Sequence, residues 1–145
     1  MYFENRTFQI VARKYTEDFS NYSHVIPEKV LEVKKLTYLF DLDEPHYVIA
    51  YEAKRDEQHQ VGSFYIGFIV NHFPKELPNH FITLDCPLRT YGVFETIFHL
   101  EDMGNYYDQL VRWIFSMNYT YTDDMIFELY ESERKLTIYN PVKER

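Results

Sequence analysis

One order of elements (strand, helix, strand, strand) is written twice in this chain, and it constrains the fold more than any single motif does. Residues 7–15 alternate, with Phe8, Ile10 and Ala12 on one side and Val11 opposite, the period of a strand. Residues 16–23 are polar and turn-like. Ile26, Val30, Val33, Thr37 and Phe40 then recur at helical spacing, predicting an amphipathic helix over 27–40. Pro27 opens it, where a missing N–H is tolerated, and Lys34 and Lys35 lie near the negative end of its dipole. Residues 41–45 break the helix. Residues 47–52 alternate Tyr47, Ile49 and Tyr51 against Val48 and Ala50, and residues 63–70 read as a buried strand forming a hairpin with them. Gly67 inside that strand marks a close approach of another backbone or of a ligand.

The second half repeats the order. A short strand over 81–84 precedes Cys86-Pro87, and a long strand over 89–98 puts Tyr91, Val93, Glu95 and Ile97 on one side. Residues 101–104 turn. Tyr106, Leu110, Trp113, Ile114 and Met117 mark the second helix, and residues 118–124 form a loop. Strands over 126–131 and 136–142 follow, joined by S-E-R-K. The 145 residues suit one domain, with halves of roughly 1–78 and 79–145. The expected fold class is therefore α+β, built from two pseudo-symmetric βαββ units. A central groove between the halves is a natural pocket.

Composition narrows the function classes. A formal net charge of −8 argues against a broad phosphate-binding surface, so direct nucleic-acid binding is not expected. The single Cys86 rules out an internal disulfide and suits a reducing, cytoplasmic setting; next to Pro87 it reads as a buried structural thiol. No run of apolar residues approaches membrane-spanning length. The six histidines lack metal-ligand spacing, so no metal is expected, and with 4 glycines no phosphate-cradling or dinucleotide pattern is present, so no cofactor is expected.

Glu128 is the anomaly. It sits among Met125, Ile126, Phe127, Leu129 and Tyr130, and a lone carboxylate on a half-buried strand is costly without a partner or ligand. Strand parity puts Ile126, Glu128 and Tyr130 on one face and Phe127 and Leu129 on the other. Apolar surroundings raise the pKa of such a group and a bound cation lowers it. The bland alternative is a solvent-facing Glu128 paired with Arg134 or Lys135.

Several local patterns together resemble one family. R-T-Y-G-V-F at 89–94, Y-Y-D-Q-L-V-R-W-I-F-S-M-N-Y at 106–119, F-E-L-Y at 127–130 and L-T-I-Y-N-P-V at 136–142 occur in order, after Y-V-I-A-Y-E and F-Y-I-G-F-I-V in the first half. They are similar to the GyrI-like, or bacterial effector-binding, domains. That family occurs alone and as the sensor of AraC-type and MerR-type transcription regulators. The resemblance implies duplicated SHS2-like modules around a groove with aromatic walls, and a Glu matching Glu128 that pairs with lipophilic cations in drug-sensing relatives. No helix-turn-helix is legible in this sequence.

The expected function is thus small-molecule binding, with Glu128 as anchor and Tyr130, Tyr47, Tyr51, Tyr65, Tyr91, Phe94 and Trp113 as wall residues; for any one aromatic, core packing is the competing role. Glu95 is a second acidic candidate. Two alternatives stay open. One is a small hydrolase-type enzyme using Glu128 as general acid or base; the other is a module that binds a protein partner, as gyrase-inhibitor-like relatives do.

Overall fold

A computed structural model describes residues 1–42, 46–131 and 134–145. Among the described residues, seven strands and two helices follow in the order β1 (Tyr2–Asp18), α1 (Tyr22–Lys34), β2 (Tyr47–Tyr51), β3 (Val61–Ile69), β4 (Phe81–Ile97), α2 (Met103–Ser116), β5 (Tyr119–Tyr121), β6 (Ile126–Tyr130) and β7 (Lys135–Glu144). Short 3-10 turns precede each helix and follow α1. The fold is α+β, as expected from the sequence.

All strand pairings are antiparallel, in the order β4-β1-β3-β2-β6-β7-β5. β4 is long enough to pair twice. Residues up to Val93 run beside β1, and Tyr91 to Ile97 run beside β7, so the pairings close a circuit. Inside the curve lies one apolar layer: Phe8, Ile10, Ala12, Val48, Ala50, Tyr91, Val93, Phe127, Leu129 and Tyr139. Phe8 stacks on Phe127 at 3.9 Å, and Tyr91 and Tyr139 meet Phe8 edge-on. The other face carries both helices and a second layer that includes Val33, Ile49, Phe64, Ile66, Leu110, Ile114 and Ile138. α1 packs on β1 and β3, while α2 packs on β4 and β5. The middle strands β2 and β6 lie between them.

Several boundaries differ from those read in the sequence. α1 starts at Tyr22 and ends at Lys34, with Pro27 in its interior rather than at its start. The lost hydrogen bond would have reached Ser23, which is exposed, so water can serve that carbonyl. Thr37 and Phe40 fall in and after a separate 3-10 turn. The two strands expected around Cys86-Pro87 are one strand, β4. The β1 partner of Cys86 is Phe8 and that of Arg89 is Arg6, so Pro87 and Leu88 oppose Thr7 alone. This is a β-bulge, a place where a residue without an N–H fits a strand. Part of the expected 118–124 loop is the short strand β5. The break expected at 41–45 and the S-E-R-K turn fall partly outside the described residues.

Gly67 behaves as its sequence context suggests. A Cβ there would stand 1.8 Å from the Val11 carbonyl oxygen, so β1 and β3 pair closely because this residue has no side chain. Among the described residues no helix is long and apolar enough to cross a membrane.

Candidate functional site

Register builds the site. Ile49 of β2, Glu128 of β6, Ile138 of β7 and Phe94 of β4 are successive cross-strand partners, and Ile66 of β3 extends the row. Directly paired residues share a face, so one carboxylate lies in a row of apolar side chains on the helix-bearing face. Tyr47 and Tyr130, paired in the next register position, lie beside it, and Tyr51 lies diagonally across.

Glu128 is 2 % exposed. Its Oε1 accepts hydrogen bonds from the Tyr51 hydroxyl at 2.9 Å and the Tyr130 hydroxyl at 2.7 Å. Its Oε2 accepts one from the Tyr107 hydroxyl, brought in by α2. Tyr107, Leu110 and Ile114 share one face of α2, which places the phenol of Tyr107 over the sheet while the other two enter the core. Among the described residues, no cationic side chain forms an ion pair with Glu128. Burial pushes its carboxyl above the usual range; the bonds from Tyr107, Tyr130 and Tyr51 pull it back without cancelling that effect. Burial and the nearby carboxylate push Tyr51, Tyr107 and Tyr130 well above an ordinary phenol, and Tyr47 to about 12. All four therefore remain neutral phenols at neutral pH, and three are donors to the carboxylate.

The aromatic surround continues outward. Tyr47 stacks on Tyr130 at 4.6 Å and 5° from parallel, and Phe98 meets Tyr130 edge-on at 5.4 Å. On the α1 side, Tyr22 lies 6.2 Å from the Tyr51 ring.

Of the eight residues proposed from sequence, the structure gathers Glu128, Tyr130, Tyr47 and Tyr51. Phe94 lies in the Glu128 row, two strands away, and its ring meets Tyr106 of α2. Trp113 packs against Phe3 at 4.7 Å and is a core anchor. Tyr65 and Tyr91 do not join the site. Tyr65 pairs with Ala50 and Tyr91 is buried beside Phe8, both on the opposite face of the sheet. Glu95 is exposed, points the same way as Tyr91 and accepts a hydrogen bond from Tyr2 at 3.0 Å. Tyr107 is the member that sequence reading missed. Its adjacency to Tyr106 hid which of the two turns toward the sheet; Tyr106 instead donates to the Ile97 carbonyl.

Two clefts open elsewhere. One, of about 1260 Å³, includes Phe40, Val70, Phe73, Leu77 and Leu129. The other, of about 330 Å³, includes Cys86, Arg89, Tyr91, Asp124 and Phe127, with Arg89 and Asp124 paired at 3.2 Å. Glu128 lines neither, and at 2 % exposure its carboxylate is covered in this conformation. Burial pushes the Cys86 thiol up, away from the reactive thiolate. His99, Glu101 and Asp102 bring ligand atoms within 4.8 Å of one another. However, Arg134 Nη2 lies 3.0 Å from His99 Nδ1. A guanidinium only donates, so that contact makes Nδ1 the acceptor and leaves the hydrogen on Nε2, a poor arrangement for holding a metal.

The seven-stranded antiparallel sheet with two helices on one face is an effector-binding fold of the GyrI-like kind. Residues 4–142 match the Cass2 family, described as integron-associated effector binding protein, and the chain belongs to that family. The Vibrio cholerae integron cassette protein VCH_CASS2 superposes with a TM-score of 0.59 at 13% identity, over 97% of this chain and 95% of its own. The EcmrR C-terminal domain gives 0.67 at 19% identity, over 99% and 97%. SAV2435, solved bound to tetraphenylphosphonium, gives 0.66 at 14% identity, over 99% and 94%. In the EcmrR–DNA complex the EcmrR chain is longer, and the present chain spans 57% of it (TM-score 0.69, 20% identity). At these identities the structural likeness is one of fold. A comparison with curated proteins gave no match.

Proposed function

We propose that this chain is a small-molecule sensor module that holds an amphipathic organic cation against the Glu128 face of the sheet, between α1 and α2. The observation that carries this reading is a fully buried carboxylate with three phenol donors and, among the described residues, no cationic partner. Such a charge is expensive in an apolar surround, and a ligand cation supplies the direct ion pair that no described residue makes with it. Tyr47, Tyr51, Tyr107 and Tyr130 add aromatic surface on which a cation gains about 0.5–2 kcal/mol more, depending on desolvation. Because Glu128 is covered, binding requires part of that aromatic cover to move aside.

Tetraphenylphosphonium is the natural first probe, since a protein of the same fold has been solved with it. Calorimetric titration of wild type and Glu128→Gln, with triphenylphosphine oxide as a neutral comparison, tests the reading. Glu128→Gln should weaken the cation at least tenfold and leave the neutral compound nearly unaffected. Equal affinity of the two proteins for the cation would reject the charge role.

A further inference from the structure

We propose that Lys34 is a built-in occupant of the site, a cation from the chain itself that governs which ligands enter; the inference rests on the function proposed above. Lys34 is the last residue of α1, and Tyr47 is the first of β2. The Lys34 ammonium lies over the Tyr47 ring, 5.2 Å from its centroid. Tyr47 is stacked on Tyr130, with no room for an ammonium between rings 4.6 Å apart. Lys34 is therefore on the outer face. The Tyr130 hydroxyl in turn donates to Glu128 Oε1. Ammonium, ring, ring and carboxylate thus form one series from the surface to the buried charge.

The series makes Lys34 a competitor. The face of Tyr47 turned away from Tyr130 is an aromatic surface on a half-buried ring, two rings from the buried negative charge, the kind of position an organic cation takes. The chain fills it with its own cation, whose stem also covers apolar surface. An incoming cation must displace that ammonium and is repelled by it. A neutral ligand meets only the flexible stem. Lys34 therefore biases the site toward ligands with enough apolar surface to offset the displaced contact, and against small, well-hydrated cations.

Two measurements test this. In the first, the lysines are reductively methylated with ¹³C, and the Lys34 signal is assigned by its loss in Lys34→Met. That signal should be shifted upfield by the Tyr47 ring in the free protein, and should return toward the position of a solvated lysine when tetraphenylphosphonium is added. An unshifted signal in the free protein would overturn the inference whatever the ligand turns out to be. In the second, Lys34→Met should bind tetraphenylphosphonium about two- to fivefold more tightly than wild type, from a cation–aromatic contact of this kind at an exposed site. Triphenylphosphine oxide should bind both alike, and Lys34→Arg should behave as wild type. If Glu128→Gln weakens the cation but Lys34→Met leaves it unchanged, the role of Lys34 fails and the function stands. If the cation binds neither wild type nor Lys34→Met, both fail.

Discussion

Tyr47 and Tyr130 face one another across the β2–β6 pairing, their rings 4.6 Å apart and 5° from parallel, and only Tyr130 of the two also donates to Glu128. The two residues can therefore be separated by substitution. Tyr130→Phe keeps the stack and removes one donor to the carboxylate. A hydrogen bond to a charged group contributes about 1.5–3 kcal/mol, so urea unfolding at pH 8 should show a loss in that range. The loss should shrink in acid, where protonated Glu128 depends less on its donors.

Glu128 also links stability to pH. Its folded-state pKa is raised, so its contribution is fully present below the unfolded value of 4.5 and is lost as pH rises through the folded value. Wild type should therefore lose stability relative to Glu128→Gln between pH 4.5 and 8. The difference in Tm between the two proteins, followed by thermal melts across that window, should grow in favour of the variant. A constant difference would mean that the carboxyl is not shifted.

How much of this was legible in the sequence differs residue by residue. Alternation within a strand identified which residues share a face, and it correctly grouped Glu128 with Tyr130 and Tyr47 with Tyr51. It could not assign Tyr65 or Tyr91, because pairing register and sheet curvature decide which face turns inward, and neither is local. Tyr65 pairs with Ala50, and Tyr91 sits where β4 passes from β1 to β7. Pro27 and Pro87 misled for one reason: each was read as a boundary, yet a helix with an exposed Ser23 carbonyl and a strand with a bulge both accommodate a missing N–H. Tyr107 was hidden by a neighbour of the same type.

Gly67→Ala tests the sheet that carries the site. The added methyl would stand 1.8 Å from the Val11 carbonyl oxygen, and the nearest atoms are all β1 backbone, which leaves nothing flexible to yield. The variant should fold poorly or melt far below wild type. Gly104→Ala, where the added carbon meets nothing within 4 Å, should be tolerated and is the control for the loss of glycine itself.

Phe127→Ala tests the layer behind the site. Phe127 is buried and stacked on Phe8 at 3.9 Å, so its truncation should cost about 3–5 kcal/mol in chemical denaturation. Tyr65→Phe, on the same face but only partly buried, should change stability by less than about 1 kcal/mol and leave cation affinity unaltered.

The most direct test of the account is a ¹³C titration of the Glu128 side-chain carboxyl, assigned by its loss in Glu128→Gln, in the free protein and in the protein saturated with tetraphenylphosphonium. The free protein should titrate above the ordinary range for a glutamate, and the bound cation should move that midpoint to lower pH. A midpoint that stays in place when the cation is bound would contradict the claim that the buried carboxylate is the ligand's anchor.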